Sequence, residues 1–107
     1  MKFGSLNSTQ QSGREQAGLR PIVIISGNSM NQNSSLCLAC PLSSKIKNYP
    51  ATLLLKKNNQ NGLTAESEIL IFQIRVLDQS RLTKRIGAIS EIELKQIITE
   101  LNGIFEL

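Results

Sequence analysis

Side chains that could hold and react with a phosphate group lie in two polar segments of this 107-residue sequence. The first segment contains Glu15 and Gln16 and is followed directly by Arg20, and the second opens with Ser43. A guanidinium donates paired hydrogen bonds to phosphate oxygens, a hydroxyl donates or accepts one, and a carboxylate accepts a proton. Further hydroxyl and ammonium groups follow at Ser44, Lys45 and Lys47. Such a set can neutralise charge that develops on phosphorus.

The sequence contains no histidine, which excludes any mechanism that needs an imidazole base or ligand. Its two cysteines, Cys37 and Cys40, form a C-x-x-C pair. On a strand, residues three apart point to opposite faces, and no second pair completes a zinc site. We therefore expect two buried structural thiols, with no metal and no cofactor.

Charge is unevenly distributed along the chain, whose formal net charge is +4. Residues 1–89 hold eleven basic and four acidic residues, whereas residues 90–107 hold one basic and four acidic residues. A cationic body of this kind attracts phosphate chains. With 40% hydrophobic residues, the chain can build one modest core, and we expect a single domain over residues 1–107. Neither an apolar run of about 20 residues nor a secretory signal is present, which predicts a cytoplasmic protein without a membrane segment.

Short apolar runs bounded by polar segments predict a mainly β protein. The predicted strands are Arg20–Ser26, Leu36–Leu42 (closed by Pro41), Ala51–Lys56, Glu68–Leu77 and Leu82–Ile89. The first two have the composition of strands buried on both faces. Polar residues 7–19 and 27–35 are expected to be loops, 43–50 a basic loop, and Asn61-Gly62 a tight turn.

The hydrophobic period changes after Ser90, where Glu93 completes a capping-box pattern. Apolar residues then recur at helical spacing, at Leu94, Ile97, Ile98, Leu101, Ile104 and Phe105. This pattern predicts a terminal helix that covers the sheet. Five or six strands and one helix fit a small half-open barrel.

The order of these residues resembles the MazF/PemK family of toxins. The matching segments are Glu15-Gln16-Ala17-Gly18, Arg20-Pro21, Ile22–Ser26, Cys40–Lys45, Asn61-Gly62-Leu63 and the series from Ile69 to Gly87. Each motif is weak alone, but their order and spacing together are specific, and they cover about residues 6–105.

The resemblance implies an SH3-like barrel that works as a homodimer and belongs to a type II toxin–antitoxin system. It implies a metal-independent endoribonuclease that cuts single-stranded RNA to 2′,3′-cyclic phosphate and 5′-OH ends. An acidic antitoxin would block the RNA groove.

The resemblance also suggests roles for individual residues. Arg20 matches the catalytic arginine, Ser43 stands where the family usually has a threonine, and Glu15 could accept a proton or orient Arg20. Candidate RNA contacts are Gln16, Ser44, Lys45, Lys47, Arg75, Lys84 and Arg85. Purely structural roles are the alternative for these residues. Arg20 could anchor a loop and Ser43 could form a turn. Arg75 could pair with Asp78 or Glu15. Tyr49 and Phe3 could stack on a base, but an aromatic content of 4% argues against a stacking platform.

The sequence departs from the family pattern at Phe72, where many members place an acid that serves as the general base in some. The base is therefore unassigned, and a degenerate homologue that binds RNA or antitoxin without cutting is the alternative function. A third possibility is a gyrase poison, because a toxin of similar architecture acts on that target.

Overall fold

The computed structural model describes residues 4–10 and 19–105, which form seven antiparallel strands and two helices. Strands β1 to β7 cover Ser5–Gln10, Leu19–Ile24, Leu36–Ser43, Thr52–Leu55, Ser67–Leu70, Arg75–Asp78 and Leu82–Ala88. Helices α1 and α2 cover Asn28–Asn33 and Glu91–Ile104. Single 3₁₀ turns at Ile71–Gln73 and Gln79–Arg81 flank β6. None of the helices in these two ranges is long and apolar enough to span a membrane.

Strand β3 organises the sheet, whose order is β4-β5-β3-β2-β1-β7. One edge of β3 pairs with β2. The other edge pairs with β6 along its first half and with β5 at its end. The 3₁₀ turn at Ile71–Gln73 lies between these two partners and lets the chain bend as it follows β3.

The turn at Asn61-Gly62 brings the two ends of the open sheet together. Gly62 has φ +69°, and a Cβ atom there would lie 1.9 Å from the carbonyl oxygen of Ile86 in β7. The Ala88 amide donates to the carbonyl of Gln60 at 2.9 Å. The connection between β4 and β5 thus contacts β7, which produces the expected half-open barrel.

Two hydrophobic clusters lie on opposite faces of β2 and β3. Val23 and Leu42 belong to the main core, which α2 covers with Leu94 and Ile97. Ile22 belongs to the second cluster, together with Ile24, Cys37, Ala39 and Leu77. Burial on both faces of these strands is therefore confirmed.

Helix α2 begins where the sequence predicts. Ser90 accepts a hydrogen bond from the Glu93 amide, and the Glu93 carboxylate accepts one from the Ser90 amide. Leu94 and Ile97 are buried and Leu101 is half-buried. The distal part of the predicted apolar stripe is exposed, at Ile98, Ile104 and Phe105.

Two segments predicted as loops contain regular structure. Residues 7–10 belong to β1, whose polar side chains are buried between β2 and β7; Thr9, for example, donates to the Arg81 carbonyl. Residues 28–33 form α1, where buried Asn31 bonds with Ser26. In both cases hydrogen bonds to neighbouring elements outweigh the polar composition.

Strand number and bounds also differ from expectation. The predicted strand Glu68–Leu77 is interrupted by the 3₁₀ turn at Ile71–Gln73, so seven strands are present among the described residues instead of five or six. Pro41 does not close β3, which continues to Ser43. Proline is tolerated there although its nitrogen cannot donate to a ladder.

Candidate functional site

A groove of about 510 Å³ opens at the end of β2 and β3. Arg20, Ser43, Ser44 and Lys45 line it, so four of the predicted site residues come together. The β2–β3 ladder pairs Ile22 with Pro41. The paired part of this ladder ends there; Arg20 precedes Ile22 by two residues and Ser43 follows Pro41 by two, so both flank the end of the ladder and both line the groove.

The Ser43 hydroxyl is held in place by a local turn. Its Oγ accepts a hydrogen bond from the Lys45 amide at 3.1 Å and donates to the Lys45 carbonyl at 3.4 Å. The structural role considered for Ser43 is thus present. Because a hydroxyl oxygen has two lone pairs, Oγ retains capacity to accept from a ligand. The turn also fixes the direction in which the hydroxyl faces the groove.

The other predicted side chains, Glu15 and Gln16, belong to the segment between β1 and β2 in the sequence. Both lie outside the described residues, and Gly18 does too. Thr64, Ala65 and Ser67 form part of the groove instead, and sequence reasoning did not select them. They lack a local motif, and only the crossing of the β4–β5 connection over the barrel brings them to Arg20.

Glu68 is the acidic residue that sequence reasoning missed. It pairs with Ser43 across β3 and β5, and its side chain is buried. Its carboxylate accepts hydrogen bonds from the Lys47 amide at 3.0 Å, the Asn48 amide at 2.9 Å and the Thr52 hydroxyl at 2.9 Å. These donors, led by Lys47, hold the pKa of Glu68 below its ordinary value, although burial opposes the shift.

The three hydrogen bonds make Glu68 a positioning residue for the loop at 44–51. A carboxylate that is so well solvated by the protein is a weak proton acceptor, so it is a poor candidate for the missing general base. A sequence signal existed: a charged residue at the start of an apolar strand must find buried partners. The partners of Glu68 are Lys47, Asn48 and Thr52, which lie 16 to 21 positions earlier in the chain. Nothing in the sequence identified them as its partners.

The 44–51 loop has a constrained backbone. Asn48 has φ +55° and Ala51 has φ +59°, both in the left-handed region. Asparagine tolerates this conformation, whereas for alanine it costs about 1–2 kcal/mol. The Glu68 carboxylate on one side and a hydrogen bond from the Phe72 amide to the Ala51 carbonyl on the other offset this strain. The loop thus presents exposed Lys45 and Lys47 in a defined place.

The remaining predicted RNA contacts are further from the groove. Arg75 lies on β6 opposite Ala39, four residues along β3 from Ser43, which is about 13 Å. Its guanidinium donates to the backbone carbonyl and side-chain amide oxygen of Gln73. The Asp78 carboxylate, one of its two suggested partners, accepts a hydrogen bond from the Ser80 amide, and the other, Glu15, lies outside the described residues.

Lys84 and Arg85 are exposed on β7, which β1 separates from β2. Ser8 pairs with both Lys84 and Pro21. Two strand spacings, or about 10 Å, therefore separate the Lys84 backbone from the edge of the groove. The structure places these two cations on a flank of the groove, outside its lining.

The two thiols are buried on opposite faces of β3, as expected. Cys40 lies in the main core and Cys37 in the second cluster. Burial raises the pKa of Cys40 to about 12, with a smaller opposing effect of Arg75. Burial, and then the charge of Asp78, raises the pKa of Cys37. Both thiols therefore stay protonated and behave as small apolar side chains.

The fold is a half-open antiparallel barrel with a capping C-terminal helix. A cationic, hydroxyl-lined groove lies at the end of two central strands. These two features together define a class of small toxin domains. The family model described as "PemK-like, MazF-like toxin of type II toxin-antitoxin system" matches residues 5–105. The chain belongs to this family.

Individual relatives agree with this assignment. The chain is 31% identical over 87 residues to the endoribonuclease MazF of Staphylococcus saprophyticus, covering 79% of this chain and 72% of that one. It superposes on a crystal structure of MazF from Deinococcus radiodurans with a TM-score of 0.80 and 25% identity, covering 100% and 97% of the two chains. A mycobacterial endoribonuclease in complex with its cognate antitoxin shares the fold, with a TM-score of 0.77, 18% identity and coverage of 96% and 92%.

Proposed function

We propose that this chain is the toxin of a type II toxin–antitoxin system and a metal-independent endoribonuclease that cuts single-stranded RNA. The observation that carries this proposal is that Arg20 and Ser43 line the same open groove. Family membership and the name of the Staphylococcus saprophyticus relative support it. Cleavage of messenger RNA would inhibit translation and growth.

Besides water, the proposed reaction uses only groups of the RNA and the protein. The ribose 2′-oxygen attacks phosphorus as its proton leaves to a base, and the bond from phosphorus to the 5′-oxygen breaks. The 5′-oxygen then takes up a proton. The products are a 2′,3′-cyclic phosphate and a 5′-OH end. Negative charge accumulates on the non-bridging oxygens in the transition state, and stabilising it is the largest task for the protein.

Arg20 is assigned to that task, because a guanidinium donates two hydrogen bonds and keeps its charge at any working pH. Proton donation by the guanidinium itself is chemically unfavourable for the same reason, so a water molecule would serve the leaving oxygen. Ser43 donates to a phosphate oxygen or accepts from the 2′-OH. We assign to Glu15 the removal of the 2′-OH proton, because the carboxylate of Glu68 is already occupied by three hydrogen bonds.

RNA binding is assigned to residues in three places. Ser44, Lys45 and Lys47 contact the phosphate chain beside the catalytic pair. Gln16 holds a base edge from the first loop. Arg75, Lys84 and Arg85 extend the positive field on the flanks, where they steer RNA without touching the reacting phosphate.

The partners follow from the same proposal. An acidic antitoxin folds onto the cationic groove and competes with RNA. Proteins of the same fold have been solved with such partners, as MazE-MazF of Deinococcus radiodurans and as a mycobacterial endoribonuclease with its cognate antitoxin. A homodimer would extend one groove with the loops of its mate. We assign the protein to the cytoplasm, where its RNA substrate and antitoxin are made.

The test is incubation of the purified protein with single-stranded RNA in EDTA. We expect cleavage with cyclic-phosphate ends, and a loss of about 10²–10³-fold in kcat for Arg20→Ala. Arg20→Lys should recover only part of the rate, because an ammonium lacks the paired donors. Arg81→Ala removes an exposed guanidinium from a 3₁₀ turn and is the control, with the wild-type rate.

If the RNA stays intact in this assay while the protein binds RNA or antitoxin tightly, the protein is a degenerate homologue and not a nuclease. Cleavage that persists in Arg20→Ala would remove the catalytic assignment of that residue. Inhibition of supercoiling in a DNA-gyrase assay without RNA cleavage would identify the third function.

A further inference from the structure

A second, smaller cleft adjoins the groove and has no role in the proposed reaction. Its volume is about 170 Å³, similar to the roughly 150 Å³ that accommodates a benzene-sized ring in a protein interior. Ser43 and Lys45 line both the cleft and the groove. A group bound in the cleft therefore lies next to the phosphate that Ser43 contacts.

Two aromatic side chains form part of the cleft wall. Tyr49 and Phe72 have ring centroids 6.1 Å apart and an interplanar angle of 68°. They are 50% and 42% exposed, so neither ring belongs to the core. The chain has only four aromatic residues in total, and two of them meet at this exposed place.

Hydrogen bonds hold the main chain of both aromatic residues before any ligand arrives. The Thr52 hydroxyl shares its one proton between the Tyr49 carbonyl at 2.8 Å and the Glu68 carboxylate at 2.9 Å, and the Phe72 amide donates to the Ala51 carbonyl at 3.2 Å. Glu68 holds the preceding residues through the Lys47 and Asn48 amides. A preorganised wall loses little entropy on binding a rigid, planar ligand.

The charge around the cleft indicates which planar ligand fits. The Lys47 ammonium lies 6.0 Å from the centroid of the Tyr49 ring, and Lys45 lines the same cleft. Glu68 also lines it, but its carboxylate is hydrogen-bonded to the Lys47 and Asn48 amides and the Thr52 hydroxyl. Aromatic faces beside two ammonium groups suit a flat ring that is attached to a phosphate, which is the chemistry of an unpaired nucleotide. An aromatic side chain of an acidic peptide is the competing occupant.

We propose that Tyr49, Phe72 and Lys47 form a stacking subsite that holds the base of the nucleotide next to the scissile phosphate. This inference rests on the proposed RNA substrate and deepens it. It differs from the expectation of no stacking platform, because Phe72 follows β5 in the sequence and meets Tyr49 only in the folded chain. Phe72 supplies a stacking surface in this proposal.

Tyr49 is the single tyrosine and the chain has no tryptophan, so its fluorescence reports on this subsite directly. The probes are short 2′-O-methyl homopolymers of A, C, G and U, which lack the reactive 2′-OH, and an abasic chain of equal length. We expect the base-bearing chains to quench Tyr49 and the abasic chain to leave it unchanged. Free N-acetyltyrosinamide corrects for absorption by the bases.

Affinities of variants provide the second readout. Phe72→Leu keeps an apolar side chain but removes the ring, and we expect about 5- to 100-fold weaker binding of the base-bearing chains, in line with the value of one stacked base. Val76→Ala removes an exposed apolar side chain that lies outside the cleft, and it should leave affinity unchanged.

Equal quenching by the abasic chain, or wild-type affinity of Phe72→Leu, would overturn the proposal. Quenching by the antitoxin but not by any oligonucleotide would assign the cleft to the protein partner and would also overturn it. Because the probes cannot be cleaved, the result is independent of catalysis. Quenching without RNA cleavage would support the stacking subsite and contradict the nuclease function. Cleavage without quenching would support the nuclease function and contradict the subsite.

Discussion

At the residue scale, Ser43 has both a structural and a proposed catalytic role, and two substitutions separate them. Ser43→Ala removes the hydroxyl and should lower kcat by about 10²-fold, as does loss of one preorganised donor to a transition-state oxygen. Ser43→Thr keeps the hydroxyl, matches the residue that we expect in the family, and should retain most of the activity. Single-turnover cleavage rates are the measurement.

The thermal midpoint of each Ser43 variant is the control for that comparison. If Ser43 only formed the turn with Lys45, Ser43→Ala would lose stability and the folded protein would cleave at the normal rate. A full rate in the alanine variant would contradict the catalytic role.

The lowered pKa of Glu68 leads to a prediction about how the stability of the fold depends on pH. Because its pKa is lowered in the folded protein, its hydrogen bonds stabilise the fold above the unfolded pKa of about 4.3, and this contribution disappears as pH falls through the lower folded value. The thermal midpoint should therefore fall from pH 5 towards about pH 3. Glu68→Gln should be less stable at pH 7 and show a shallower acid decline.

Part of the decline should remain in Glu68→Gln, since the Ser80 amide also holds the pKa of Asp78 below its ordinary value. Glu66→Gln, at an exposed position two residues earlier, is the matched control and should behave as the wild type. An unchanged acid profile in Glu68→Gln would show that the carboxylate does not hold the 44–51 loop.

At the element scale, closure of the barrel depends on the turn at Asn61-Gly62. Gly62→Ala places a Cβ atom 1.9 Å from the Ile86 carbonyl and strains a backbone at φ +69°. We expect a loss of about 2–5 kcal/mol in the free energy of unfolding. Denaturant unfolding is the measurement.

Gly103→Ala is the contrasting substitution, because Gly103 lies in α2 and nothing lies within 4 Å of its Cβ position. Alanine is favoured over glycine in a helix, so stability should rise by up to about 1 kcal/mol. Equal effects of the two substitutions would mean that the turn does not contact β7 in solution.

The same scale shows where sequence patterns were sufficient. The capping box at Ser90 and Glu93 predicted the start of α2, because both partners lie within one turn. The apolar runs predicted β2, β3, β4 and β7 for a similar reason. The break at Ile71–Gln73 was not predictable, since it depends on two different strands pairing with one edge of β3.

At the scale of the whole molecule, the cations of the groove and cleft should dominate RNA affinity. Arg20, Lys45 and Lys47 can each displace a counterion from a single strand, so the logarithm of the association constant should fall with the logarithm of salt concentration with a slope of about −2. Replacing Lys45 and Lys47 by glutamine should reduce the slope by about 1.4. An uncleavable oligonucleotide suits this titration.

Lys95→Gln is its control, because Lys95 lies exposed on α2 among the acidic residues of that helix. A slope that is unaffected by the double replacement, or affected equally by Lys95→Gln, would place the RNA elsewhere on the surface.

The sequence by itself determined helix α2 and the buried strands β2 and β3, because local periodicity and capping depend on residues near one another in the chain. The candidates Arg20 and Ser43 came from the resemblance of the motif order to the MazF/PemK family. Tertiary structure alone decided that Glu68 organises the loop beside Ser43 and that Phe72 meets Tyr49. These contacts join residues about twenty positions apart, and only the bending of the sheet around β3 brings them together.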